Sequence, residues 1–215
     1  MNSATHESKT KLLDATFGVI RAKGYNATRI EDVCDAAGLT KGSFFHHFKS
    51  KEELGVAAAE HWQAVTDDFF LAAPYHTLPD PLDRLFAYVD LRKALLQGQL
   101  PQFTCLVGTM AQEVYQTHPD ILEACNSSIS DHAATLEPDI AEAMEKYGVN
   151  GVQSAQSLAL YTQAVIQGAF ILAKARGGAE TAADCLDHLR RYLELLFAQP
   201  AATSKTSSHL KKEII

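Results

Sequence analysis

An all-α fold is what this 215-residue sequence predicts, with an N-terminal three-helix unit ahead of a larger helical body. Three observations carry that prediction. Alternating β-branched runs are missing, and apolar residues recur at three- and four-residue spacing throughout. Between Thr28 and Leu54 two short periodic segments flank Gly38, each with a helix-start signal in front of it. That layout is a helix-turn-helix.

The first helix is expected from Ser8 to Lys23, with Leu12, Leu13, Thr16, Phe17 and Ile20 as its inner stripe and Gly24 at its end. Thr28, with Glu31 three residues on, reads as a capping box opening the second helix. There Ile30, Val33, Cys34 and Ala37 fall at i, i+3, i+4 and i+7. Gly38 makes the turn. Thr40 caps a third helix whose inward residues are Phe44, Phe45 and Phe48. Ser50 and Glu53 form another box and open a fourth helix running to Leu71. Pro74, Pro79, Asp80 and Pro81 mark a loop over 73–81. Further helices are expected over 82–97, 104–116, 119–146, 152–176 and 180–198. Pro119 suits a first helical turn, whereas Pro138 should kink or split its segment. The stretch 199–215 reads as a disordered tail. The chain thus divides as 1–54, 55–198 and 199–215.

Hydrophobic residues make up 47% and charged residues 21%, an ordinary globular balance. No uninterrupted apolar run approaches the ~18 residues that span a bilayer, and Met1 to Thr10 lacks the apolar stretch of a signal peptide. A cytoplasmic protein without membrane contact is expected. Cys34, Cys105, Cys125 and Cys185 form no CxxC pair and read as free thiols. The net charge is −7, unevenly spread: residues 1–51 hold eight Lys/Arg against five Asp/Glu (+3), and the remainder eleven against twenty-one (−10). A basic head on an acidic body presents only the head to phosphates.

The stretch from Leu12 to Leu54 carries a specific signature. Gly24-Tyr25 closes the first helix, and Thr28 precedes the second. Ile30-Glu31-Asp32-Val33 and Ala37-Gly38-Leu39-Thr40 follow. The block Gly42 to Phe48 and the Lys51 to Leu54 run complete it. These residues resemble, nearly position for position, the TetR family of bacterial one-component repressors. The resemblance implies a dimeric repressor, a double-stranded DNA operator and a C-terminal ligand-binding and dimerisation domain. Beyond Leu54 the match is loose.

Residue roles follow from the resemblance together with physical reasons. Thr28, at a helix N-terminus, is expected to hold a phosphate. Thr40, Lys41 and Ser43 lie on the leading turn of the helix that would enter the major groove. Gly42 lacks a side chain, which permits close approach. His46, His47 and Lys51 are further phosphate contacts. The family usually has Tyr in the place of Phe45, and Phe45 cannot donate the phosphate bond of that hydroxyl. His46 and His47 diverge by about 100° on a helix, so no metal site is expected there. No cofactor is expected.

In the body, Trp62, Phe103 and Cys105 are singled out as effector-pocket residues. Most other aromatics read as core, because a pocket wall and a core share one apolar periodicity. Cys105, beside Gly108, resembles thiols in a subgroup of the family that respond to electrophiles or oxidants, and Lys174 would lower its pKa if the fold joined them. The plainer reading of Cys105 is a small core residue. Residues 152–198 carry Ala164, Gly168 and Ala169 on one helix and Leu186, Leu189, Leu193, Leu196 and Phe197 on the next. They are expected to pair as a homodimer interface, with intrachain packing as the alternative. There is no GxSxG, P-loop, GxGxxG after a strand, or HExxH, so no enzyme is expected. The expected function is an effector-released repressor on a palindromic operator. The alternatives are an activator or a ligand-free regulator, or else a helical enzyme or interaction module with a vestigial head.

Overall fold

The computed structural model describes residues 3–149 and 154–198, and the regular structure among them is entirely helical. The head is built from α1 (Ser3–Lys23), α2 (Ile30–Ala37) and α3 (Lys41–His47). Next comes α4 (Lys51–Leu71), then a 3-10 turn at Pro74–Thr77 inside the expected loop. The body follows as α5 (Pro81–Ala94), α6 (Leu100–Phe103), α7 (Leu106–Val114), α8 (Pro119–Ala134), α9 (Glu137–Tyr147), α10 (Ala155–Arg176) and α11 (Glu180–Phe197). The expected disordered tail lies outside the described residues.

Several boundaries depart from the sequence expectation for local reasons. α1 begins at Ser3 rather than Ser8. The helix expected over 104–116 is found as α7, starting two residues later. A short extra helix, α6, precedes it, the two separated where Thr104 and Cys105 adopt extended ψ angles of 158° and 130°. The Cys105 sulfur then accepts the Gly108 N–H at 3.4 Å and caps α7. Pro138 splits its segment, as a missing N–H should, and sits in the first turn of α9.

Two hydrophobic cores form, and they do not follow the chain order. The head core joins Leu12, Tyr25, Val33, Phe44 and Phe48 to Leu106, Met110, Val114, Ile121 and Cys125 of α7 and α8. The body core collects α5, α9, α10, α11 and the last turn of α8. α4 belongs to both: Leu54, Ala58 and Ala59 bury in the first core and Phe70 in the second. A 21-residue helix is about 30 Å long, so α4 is a rigid strut between them. Gly55 is where α4 is crossed most closely, since a Cβ there would stand 2.8 Å from Ile121 Cδ1 and 3.0 Å from a Tyr25 ring carbon.

One described helix, α10, is long and apolar enough by composition to cross a membrane, with a mean hydropathy of 1.3 in its most apolar window. Its Leu158, Ala159, Ile166 and Ala169 are buried in the body core, and Thr162 and Gln163 are buried with them.

Candidate nucleic-acid interface and body cavity

The head is assembled by α1, which buries Leu12, Thr16 and Ile20 beneath α2 and α3. Gly38 turns between those two helices with φ 65°, the left-handed region. Leu39 N–H returns to Cys34 O at 2.9 Å across that turn. Thr40 accepts the Ser43 N–H at 3.2 Å and caps α3, as its spacing predicts. Phe44 and Phe48 pack inward. Phe45 does not, contrary to expectation: one residue along a helix turns a side chain by about 100°, and Phe45 is 55% exposed.

The outer surface of α3 therefore presents Thr40, Lys41, Gly42, Phe45 and His46, with Ser43 and His47 half-buried. A Cβ on Gly42 would meet only Thr40 Oγ1, at an ordinary 3.6 Å. Nothing among the described residues requires that glycine. Lys41 is ion-paired with Glu31 across the turn. His47 shares a 2.7 Å hydrogen bond with Ser8 Oγ of α1, and burial holds its pKa below the usual imidazole value, with His46 and Lys9 adding to the effect.

Two predicted phosphate ligands are placed differently from their expectation. Thr28 is not the N-cap of α2. Its hydroxyl donates to Gly24 O at 2.6 Å and the residue is buried. Arg29 takes the cap position, where its N–H donates to Asp32 Oδ2 at 2.7 Å. Lys51 turns inward as well. Its ammonium donates to the carbonyls of Tyr25, Asn26 and Thr28 at 3.0, 3.3 and 3.1 Å, and lies 4.4 Å from the Tyr25 ring centroid. Burial lowers its pKa. The three donors of the ammonium thus satisfy the carbonyls of the turn between α1 and α2.

A cavity of about 380 Å³ lies where α1, α4, α5, α8 and α10 converge with the α6–α7 corner. Trp62, Phe103 and Cys105, far apart in sequence, all line it. So do polar residues that sequence reasoning missed: Arg21, Arg92, His132, Gln163 and Gln167. Arg92 donates from Nε to Tyr88 Oη at 2.9 Å and from a terminal nitrogen to His132 Nε2 at 2.7 Å. Gln163 Nε2 also donates to Tyr88 Oη, at 3.0 Å, and Tyr88 Oη in turn donates to His132 Nε2 at 2.9 Å. Nε2 is therefore an acceptor, and the imidazole is neutral. Burial first, and the Arg92 charge second, push its pKa down to about 3. The only sequence trace of this cluster is polar residues at stripe positions that should be apolar.

Arg21 projects from the head helix α1 to the same cavity. It donates to Phe17 O at 3.0 Å and to Gln102 O and Thr104 O at 3.3 Å each, and stacks 5.0 Å from the Trp62 ring centroid. Lys174 is brought to this corner without lining the cavity. It donates to Thr109 Oγ1 at 2.6 Å, and its pKa is lowered by burial, with Cys105 and Glu113 pulling the other way. Cys105 is half-buried, while Cys34 and Cys125 are buried.

On the far side of the body, α10 and α11 present an apolar face to solvent. Leu160, Tyr161, Ile171 and Leu172 of α10 and Leu195 of α11 are each more than two-fifths exposed. A Cβ on Gly168 would meet nothing within 4 Å. Ala169, Leu186, Leu189, Leu193 and Phe197, expected at an interface, are buried in this chain's own core.

Comparison with known proteins sets this geometry in context. Residues 12–58 match the family described as bacterial regulatory proteins, tetR family. Residues 81–187 match the LmrA/YxaF-like transcriptional regulator C-terminal domain. Over 54 residues the chain is 48% identical to the HTH-type transcriptional regulator CymR of Pseudomonas putida, a match spanning 25% of this chain and 27% of that one. An uncharacterized HTH-type transcriptional regulator from the lacX 3′ region of Lactococcus lactis subsp. lactis is 28% identical over 169 residues, 78% of this chain and 83% of that one. Among solved structures, a TetR-family transcriptional regulator from Agrobacterium tumefaciens superposes with a TM-score of 0.77 at 18% identity, covering 87% of this chain and 98% of that one. That last likeness concerns the fold.

Proposed function

Since the chain belongs to the TetR family of bacterial transcriptional regulators, with a helix-turn-helix DNA-binding domain, we propose that it is a ligand-responsive repressor. Two copies pair through the outward face of α10 and α11 and set two α3 helices into successive major grooves of a palindromic operator in the cytoplasm. The observation that carries the DNA-reading half is the outer surface of α3. It is exposed, cap-ordered and broken by a glycine that no internal contact demands. Thr40, Lys41 and Ser43 reach base edges or phosphates there. His46 and His47 add phosphate contacts. Thr28 and Lys51 act from beneath, by holding the turn that orients α2.

An effector in the cavity favours one of two head spacings by binding one state better than the other. The connection is short, because Arg21 and Phe17 of the head helix are themselves part of the cavity wall. Selection of binding sites from random duplex DNA tests the reading. A palindrome with half-sites about one helical turn apart is expected. Gly42→Val should lose that sequence while melting at the wild-type temperature. Failure to enrich any sequence would overturn the proposal. Ile171→Glu should yield monomers in sedimentation if the α10–α11 face pairs two copies.

A second trigger is favoured by the position of Cys105, half-buried at the cavity wall and at the start of α7. Addition of this thiol across the double bond of N-ethylmaleimide, with the sulfur going to one carbon and the proton to the other, should release DNA from wild type but not from Cys105→Ser. Cys34→Ser must be run beside it, since that thiol lies within the head. Lys174→Met should slow the reaction if its ammonium assists.

A further inference from the structure

Among the described residues, the wall of the body cavity holds two arginines and no aspartate or glutamate. Each guanidinium lies against an aromatic ring of α4: Arg21 against Trp62, and Arg92 4.2 Å from the Phe70 centroid. Those rings are eight residues apart on one helix, which is about 12 Å of rise. The cavity is therefore cationic towards both ends and apolar between, where Val65 and Phe69 of α4 and Leu96, just past the end of α5, contribute.

Neither guanidinium is ion-paired with a carboxylate among the described residues. Arg21 donates to main-chain carbonyls. Arg92 donates to a phenol and to a neutral imidazole, and its other terminal nitrogen meets no acceptor among the described residues. Protonation of His132 would only add positive charge, and burial beside Arg92 prevents it. A partly buried guanidinium with only neutral partners is costly unless an anion joins it. The Tyr88–His132–Gln163 cluster holds that cost in place by fixing Arg92 at the cavity wall.

On the effector reading above, we propose that the cavity selects organic acids: a carboxylate seated on Arg92, carried by a flat apolar body stacked along Phe70, Phe69 and Trp62. A carboxylate is the natural partner for a guanidinium fixed by its own hydrogen bonds. The volume suits one such molecule.

Trp62 is the single tryptophan of the chain, so its fluorescence reports occupancy without DNA. The probes are 2-naphthoate and 4-phenylbutyrate, each beside its neutral amide and its primary amine analogue. For full-length wild-type protein, the better acid should bind roughly tenfold or more tighter than its amide, and the amine weaker still. Arg92→Gln should bring acid and amide to near equality. Arg92→Lys, which keeps the charge and the stem, should retain part of the preference, and it stands as the test if Arg92→Gln does not fold. An amide that binds as well as its acid overturns the proposal. So does an acid preference unchanged by either substitution, or the absence of binding by both acids at millimolar concentration. A parallel gel shift separates this inference from the effector reading. Acid binding that leaves DNA bound keeps the selectivity and removes the switch, whereas DNA release by amides alone keeps the switch and removes the selectivity.

Discussion

On the proposed reading surface of α3, Phe45 lacks the hydroxyl that the family resemblance leads one to expect there. The ring is 55% exposed and packs edge-on to Phe44 with centroids 5.2 Å apart. Phe45→Tyr should tighten operator binding by roughly 1 kcal/mol per subunit, read by paired titration. Weaker binding would mean that the ring itself contacts the groove. Lys51 makes the opposite case. Lys51→Met keeps the stem over Tyr25 but removes the ammonium from three carbonyls, of which Tyr25 O alone keeps a backbone donor among the described residues, the Thr28 N–H. It should lower unfolding stability by about 2 kcal/mol in urea melts. If it instead spares stability and costs only DNA affinity, its phosphate role stands. His132 sets a pH limit. Its folded pKa of about 3 lies below the 6.5 of a free imidazole, so the unfolded chain takes the proton first. The stability tied to the neutral ring is whole above pH 6.5 and is lost as pH falls towards 3, at about 1.4 kcal/mol per unit. His132→Gln should flatten that part of the stability profile, measured as the difference between the two proteins.

At the scale of elements, most starts and stops could be read from sequence because a single residue type performs a single local task. Thr40 and Ser50 each accept an N–H three residues on, at 3.2 and 3.1 Å. Thr28 misled because a threonine hydroxyl has a second local choice, the carbonyl four residues back, and Gly24 O takes it. The cap then slips to Arg29, and Asp32 rather than Glu31 closes it. Trp62, Phe103 and Cys105 could be guessed as pocket residues, but the Arg92–His132–Gln163 wall could not. It depends on the rotation of α5, α8 and α10 about their own axes, which no local pattern encodes. Gly55 is another such case. It reads as a weak point in α4, yet it is where α8 crosses. Gly55→Val should destabilise the protein by roughly 2 kcal/mol through overpacking against Ile121 and Tyr25, despite the better helix former, as thermal melts would record.

The whole molecule is electrostatically polar, +3 over residues 1–51 and −10 beyond. An acidic body repels DNA while the head attracts it, which fixes orientation before any base is read. Operator affinity should fall with salt at a log–log slope of several units for two heads, measured by titration from low to physiological salt. A flat dependence would show that the phosphates are met elsewhere. The cavity joins the two parts, because Arg21 reaches it from the basic head and Arg92 from the acidic body.

The division of the cores bears on how such proteins can be recombined. Residues 106–125 complete the inner packing of the head although they come after α5 and α6. A hybrid that joins this head to another regulator's body at residue 54 would strip α1 and Tyr25 of the surfaces they bury against Met110, Val114 and Ile121. It should fold poorly and bind nothing, whatever the quality of its grafted α3. A graft that also transfers the facing sides of α7 and α8 would keep the inherited fit. New operator specificity is therefore better sought by exchanging only the exposed residues of α3, and new inducer response by altering the walls of the cavity, than by cutting the chain between them.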